Sequence, residues 1–442
     1  MTEAKISGIE PFVIIKNVPD ALAFYRDRFL PVKNALKTIS MYRLGDICLI
    51  LALWMSHHLW HENITFQKLQ DTAAVSSHIQ DHLPLALFTF FMILLSASIK
   101  SAQFPFSSWL PRAMEGPTTS SAVFYGSLSV HMGVFLLLRT YSFWESIFVI
   151  KAVIVVIGIL TTFIASSIAN VQSTVKTQIA YSSIAQIGLM FVEVALGWHT
   201  LALIHFAGNA FLRTYQLLVS PSVLGYLVHD QIFNPTVKEI KSYSPSVKKI
   251  RNTFYLLCIK EWNMDSFLKK LFWNPLKFIG KLFQPLITNT SLILLSVIYI
   301  GGLLFFYFDD HIPPHVDEIT HLFFAFASMI LVLVSFAEKK SPVKAWILII
   351  LSQFYCVLSI ALLNDEYQFT EIFMYAGGLL VAAIIGIFNL MRLKKLENTI
   401  TLNDFYGLAY SHPKLAFYFL LSCFAFLSLP FTPSFIGIDL IF

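Results

Sequence analysis

The sequence predicts an all-α membrane protein that crosses the bilayer about ten or eleven times, with some helices broken at membrane depth. Three observations carry this. Of 442 residues, 56% are hydrophobic and only 13% charged, and the mean hydropathy is +0.68, too apolar for a soluble globule. Apolar runs of ~20 residues, enough to cross a hydrocarbon core, recur along the chain. Between two such runs, KSAQFPFSSWLPRAMEGPTTSSA places Lys100, three prolines (Pro105, Pro111, Pro117), Trp109, Arg112 and Glu115. Each proline removes a helical hydrogen bond and clashes with the preceding turn. Broken backbone inside a membrane survives only where it packs in protein or lines a wet cavity. A charge there costs ~2.5–3.5 kcal/mol on insertion scales, so Lys100 either snorkels from a helix end or serves a pathway.

At the beginning of the chain, Ile9 to Phe29 (IEPFVIIKNVPDALAFYRDRF) reads as a short strand, a turn at Asn17-Val18-Pro19 and an amphipathic helix. This opening resembles the first strand and helix of the glyoxalase/bleomycin-resistance (vicinal oxygen chelate) family. The βαβββ units and metal ligands of that family do not follow, so residues 1–27 read as a fused or mis-joined fragment, and a glyoxalase-type enzyme is set aside. From Phe24 the chain reads on into its first membrane-spanning stretch. Arg43 and Asp46, three apart on one helical face, suit either a structural ion pair or a direct part in proton transfer. His57 to Leu83 reads as a polar, solvated loop whose histidines repeat no metal spacing.

The following spans carry polar groups one after another. Ser121–Arg139 holds His131 in an otherwise apolar helix. The run from Ile147 to Val171 leads to Lys176, and Ile179–Leu196 carries Gln186 and Glu193. In Leu201–Leu218, His205, Asn209 and Arg213 recur every four residues and share one stripe. Such a stripe is how a proton wire would be built, and it is also how polar side chains glue helices together. Taken as a set in consecutive spans, Lys100, His131, Lys176, Glu193, His205 and Arg213 read as a pathway.

After Val219, SPS reads as a membrane exit. Between Gln231 and Pro285 stand ten Lys or Arg against three acidic residues, a bias that places this region on the cytoplasmic side. Its later part, DSFLKKLFWNPLKFIGKLF, suits an interfacial helix. Flanked by spans, the patch does not read as a nucleic-acid site, and the net charge of +5 is too small to require one. More spans follow near 292–307, 321–336, 345–363 and 372–390, and then 415–429 runs into a second broken stretch, LPFTPSF. The loop from Asp309 to His321 reads as an acidic, non-cytoplasmic connection. Cys48, Cys258, Cys356 and Cys423 have no CxxC pairing, so buried free thiols are expected and neither a disulfide nor zinc. The organisation expected is thus residues 1–27 as the fragment, 28–228 as one membrane domain, 229–286 as the basic loop and 287–442 as further spans.

The motif KSAQFPFSSWLPRAMEGPTTSSA resembles the signature of the proton-translocating membrane subunits of complex I (subunit 5) and the related Mrp antiporters. SAVFYGSLSVHMGVFLLLR and LRTYQLLVSPSV resemble more closely the DabB-like subunit of the DAB inorganic-carbon transporter. The resemblance implies an antiporter-like helical bundle in a bacterial inner membrane and no cofactor in this chain. It also implies a large carbonic-anhydrase-like (DabA-like) partner that would hold any zinc. Lys100 matches the lysine on the family's broken helix, Lys176 the lysine before its alanine-tyrosine-serine run, and His205 the first of two histidines. Arg43, Asp46, Trp109, Pro111, Glu115, Pro117 and Asp439 match supporting positions. Tyr125 and Asn209 stand where histidines are usual, and Arg213 replaces a lysine. The family's glutamate-bearing helix would lie upstream of Phe24, and Ile438 occupies a charged position, so the chain reads as shortened at both ends. A complex I subunit or a Na+/H+ antiporter subunit is the alternative.

Overall fold

The computed structural model describes residues 29–61, 65, 79, 82–233, 244–307, 314–363, 369–397, 400–402, 408–430 and 432–441. The glyoxalase-like segment, most of the histidine-bearing stretch after His61 and residues 309–313 lie outside them. Among the described residues every regular element is helical, and nine helices are long and apolar enough to cross a membrane. The chain divides into two compact units, Met1–Leu268 and Lys269–Phe442.

The first unit begins with α1 (Phe29–Trp60). Its 32 residues would reach about 48 Å at ~1.5 Å per residue, longer than the ~30 Å hydrocarbon core. The last turn contains His57 and His58, which the sequence had suggested lie in a loop. The stretch LILALWMSHHLW has neither glycine nor proline to stop the helix. Next, α2 (Leu83–Lys100) ends at its lysine, and Ala102 turns into the left-handed region at φ 52°. The Trp109 indole donates back at 2.9 Å to the Ile99 carbonyl, which also accepts from the Ala102 N–H at 3.2 Å, and so ties the two sides of the break together. A five-residue helix, α3 (Trp109–Ala113), lies inside the interruption.

The following span is not the uniform helix expected from Ser121 to Arg139. It runs as α4 (Thr118–Ser121), a π-helical stretch (Ala122–Leu128), a 3₁₀ turn (Ser129–His131) and α5 (Met132–Arg139). Widened turns of this kind concentrate at functional positions. The approach of α5 to α2 depends on Gly133. A Cβ there would run into the Ala97 carbonyl and the Ser101 hydroxyl, and the Gly133 N–H donates to that same hydroxyl at 3.0 Å. Then come α6 (Phe148–Ala169) and α7 (Val175–Ala195), which touch backbone to backbone through Gly158 and Gly188.

Helix α8 (His199–Phe233) is 35 residues long. It carries on through Pro221 where a membrane exit had been expected, because VLGYLVHDQIF remains apolar enough to continue. It is not among the nine spans, since His205, Asn209, Arg213 and Gln216 lower its hydropathy. Two more helices, α9 (Pro245–Ile259) and α10 (Met264–Leu268), pack back onto this unit in the stretch expected as a basic cytoplasmic loop with an interfacial helix in its later part. Phe254 meets the Phe163 ring of α6 at 6.0 Å, and the Ser107 hydroxyl reaches Met264 Sδ at 3.0 Å. On α6, Val149, Val153, Val156, Leu160 and Phe163 are all exposed at helical spacing. An apolar stripe of that length on a surface marks a lipid-facing side.

The second unit contains α11 (Asn274–Leu282), α12 (Asn289–Tyr307), α13 (Pro314–Ala337), α14 (Pro342–Leu363), α15 (Phe369–Leu396), α16 (Pro413–Phe426) and α17 (Pro433–Ile441). Helix α13 starts at Pro314, inside the stretch expected to be a loop. The core gathers Leu292, Phe324, Leu331, Val334, Leu348, Tyr355 and Leu358, and the buried Tyr355 hydroxyl donates to the Leu295 carbonyl at 2.8 Å. The second interruption follows α16, where Ser428 has φ 51° and the Ser434 hydroxyl donates back to the Ala425 carbonyl at 2.6 Å. Asp439 is in α17. The cysteines are free, and Cys356 is exposed on α14 instead of buried.

Candidate functional site

One face of α1 clamps the broken stretch. Along α1, Asn34, Lys37, Tyr42 and Asp46 recur every three to five residues. Asn34 Nδ2 donates to Glu115 at 2.7 Å and Lys37 Nζ to the Ser108 hydroxyl at 3.0 Å. The Tyr42 ring meets the Trp109 indole edge-on at 5.0 Å, and Asp46 takes Lys100 Nζ at 2.5 Å. The pairing runs roughly in reverse order along the two segments, as antiparallel neighbours require. Pro111 is buried in α3, and Pro117 caps α4.

Asp46 is therefore the carboxylate partner of Lys100, and Arg43 lies further off at 3.7 Å. The Lys100 ammonium also sits over the Tyr42 ring, 5.1 Å from its centroid, at cation–π distance. The Tyr42 hydroxyl is 3.0 Å from the Ser129 hydroxyl. The side chains of Lys100 and Asp46 remain 22% and 34% exposed, so the pair is not sealed. Were Asp46 to take up a proton, the charge–charge attraction between it and Lys100 would be lost.

The remaining pathway candidates form two hydrogen-bonded groups. His205 Nδ1 lies 2.8 Å from Glu193 Oε1, and its Nε2 lies 2.9 Å from Gln186 Oε1. The buried His131 reaches Asn209 Nδ2 through Nε2 at 3.0 Å, and Asn209 in turn accepts from Arg213. Glu193 and His205 are thus brought together, as are His131 and Arg213, but among the described residues no direct hydrogen bond links either group to Lys100. Lys176 stands apart, with Nζ donating to the Gly116 carbonyl at 2.7 Å. The hydroxyls of Ser96, Ser98 and Tyr125 and the Gln103 carbonyl oxygen are buried without a protein hydrogen bond among the described residues. Such groups are where internal water docks.

A third cluster was not foreseen. Arg112 binds Glu261 at 2.8 Å and Asp265 at 3.1 Å, and Lys37 pairs with the same Asp265. Glu261, Trp262 and Asn263 all have positive φ, between 50° and 54°, a run of left-handed residues without glycine that costs backbone energy. Burial alone would raise the Asp265 carboxyl, but the Lys37 charge, hydrogen bonds from Lys37 and Ser108, and Arg112 hold it below its ordinary value. In the sequence, the three-to-five-residue recurrence of polar residues on α1 was the available signal for Asn34 and Lys37. Glu261 and Asp265 were hidden among ten basic residues. No cluster of metal-ligating side chains occurs among the described residues.

The family described as "NADH:quinone oxidoreductase/Mrp antiporter, TM" matches residues 22–254, more than half of the chain and nearly all of the first unit. The chain belongs to that family. Subunit 5 of the chloroplast NAD(P)H-quinone oxidoreductase of Chara vulgaris is 36% identical over 197 residues, covering 44% of this chain and 29% of that protein. A protein of Halothiobacillus neapolitanus described as a probable inorganic carbon transporter subunit, DabB2, is 34% identical over 207 residues, covering 47% and 36%. Chain 5 of the NAD(P)H-quinone oxidoreductase of Synechocystis is 29% identical over 270 residues, covering 60% and 39%. This chain spans about a third of the length of these relatives. A solved Mrp complex from Dietzia aligns over 90% of this chain and 60% of its own, at 15% identity and a TM-score of 0.43. The protein is thus a multi-pass membrane member of a proton-translocating family, and the motif around Lys100 lies inside the matched region.

Proposed function

We propose that this chain conducts protons across a bacterial inner membrane and so drives uptake of CO2 or bicarbonate with a large carbonic-anhydrase-like subunit. The observation that carries the proton reading is the Lys100–Asp46 pair set at a break in the helix. Beside it, the buried groups His131–Asn209–Arg213 and Glu193–His205–Gln186 offer sites where protons pause. The carbon reading is supported by Tyr125, by His131 and LRTYQLLVSPSV, and by the similarity to DabB2. A second reading, a subunit of an NADH:quinone oxidoreductase or a Na+/H+ antiporter, is favoured by the equally close Chara relative.

The test is to co-express the chain with its candidate carbonic-anhydrase-like partner in cells that cannot grow in air, and to measure labelled bicarbonate uptake. Uptake should be abolished by Lys100→Ala and should collapse on adding a protonophore. A well-inserted complex that takes up no bicarbonate rejects the carbon reading in favour of the second one. Uptake that persists in Lys100→Ala rejects the assigned role of the lysine.

A further inference from the structure

Arg213 is buried, and its hydrogen-bond partners are two side-chain amides. Its Nε donates to Asn209 Oδ1 at 3.1 Å, and a terminal nitrogen donates to Gln216 Oε1 at 2.7 Å. A guanidinium has only donors, so the oxygen of the Asn209 amide faces it and the NH2 group faces away. That NH2 donates to the Ser183 hydroxyl at 3.3 Å and points at His131 Nε2, 3.0 Å distant. An amide NH2 cannot accept. His131 Nε2 must therefore present its lone pair, which leaves the imidazole neutral with its proton on Nδ1. Turning the amide over would set its NH2 group against the guanidinium, donor against donor, and leave Arg213 Nε without its acceptor.

His205 offers the contrast. Its Nε2 also meets an amide, that of Gln186, but the Gln186 amide has no other hydrogen-bond partner among the described residues. It can turn over as the ring gains or loses a proton, while Glu193 remains on Nδ1. One histidine thus faces an amide whose orientation is fixed by a cation, and the other an amide that is able to follow it.

We propose that Arg213 is a positioning residue that acts through Asn209. It holds His131 as the Nδ1-protonated neutral tautomer, so His131 takes a proton at Nε2 only when Asn209 parts from Arg213. Neither Asn209 nor Arg213 carries the proton itself. The use of this lock in conduction rests on the proton-pathway reading above, while the lock itself does not.

Solid-state NMR of histidine-¹⁵N-labelled protein in bilayers tests it, with the His131 signals assigned through His131→Gln. Wild type at neutral pH should show His131 as a single neutral species protonated on Nδ1. Arg213→Gln, which removes a buried charge while keeping a side chain of similar reach, should give a mixture of both tautomers, as should Asn209→Ala. An imidazolium or an Nε2-protonated ring in wild type overturns the proposal, and so does an Arg213→Gln spectrum identical to wild type. Proton flux into vesicles is measured on the same samples and should change in Arg213→Gln. If the tautomers shift as expected while the flux does not, the lock stands and the pathway role of His131 falls.

Discussion

Lys100 and Asp46 define what a single pair of side chains does here. Each neutralises the other where neither would be tolerated alone, and the two are only partly exposed. Removing one partner of a buried pair strands the other charge, at ~3–5 kcal/mol when burial is complete and nearer ~0.2–1 kcal/mol when water reaches it. Lys100→Met and Asp46→Asn should therefore each lower the melting temperature of the purified protein and stop proton flux. The double variant should recover most of the stability and none of the flux. Thermal unfolding in detergent, read as a double-mutant cycle, checks this. If the two losses simply add, the residues do not interact as described. The neighbouring Tyr42 ring beneath Lys100 shows why an aromatic residue serves at this position, since it stabilises a cation without competing for the proton.

The break around Lys100 is the element on which the others converge, and its packing is tightest where α5 crosses α2. Gly133→Val would drive a side chain into the Ala97 carbonyl and displace Ser101 from the Gly133 N–H. Overpacking of this kind costs ~1–3 kcal/mol, and lost flux should accompany the lower melting temperature because Ser101 directly follows Lys100. Gly133→Ala should show the same effects more mildly. Unchanged stability in the valine variant would mean that the helices approach elsewhere. The break itself was legible in the sequence, because three prolines and a lysine are local signals. So was the stripe on α8, because a four-residue recurrence survives in any helix. The π and 3₁₀ turns before α5 were not legible, because they answer to the close approach of neighbouring helices and no turn residue announces them. The Lys100–Asp46 pairing was not legible either, since it joins residues 54 apart and depends on how two helices pack.

Across the first unit, α10 is bound to α1. Lys37 and Asp265 are 228 residues apart in sequence, and Arg112 of the broken stretch binds Asp265 as well. Local patterns contained no hint of this, and the alternation of basic and apolar residues after Asp265 pointed toward an interfacial helix instead. The tie has a pH signature whose sign follows from the carboxyl. Its value is held below the ordinary 3.8 in the folded protein, so the unfolded chain binds the proton more readily. The stabilisation is then fully present above the unfolded value, near ~3.9, and is lost as pH falls through the lower folded value. Unfolding of wild type should be insensitive to this group from about pH 8 down to pH 5. Asp265→Asn should be less stable throughout that window, and the difference between the two proteins should shrink as the pH drops below about 4. Melting temperatures of both, measured across that range at fixed ionic strength, decide the matter. A gap that stays constant into acid would mean that Asp265 acts through shape and not through its charge. A gap that closes would identify the ion pairs with Lys37 and Arg112 as what holds α10 against the membrane helices.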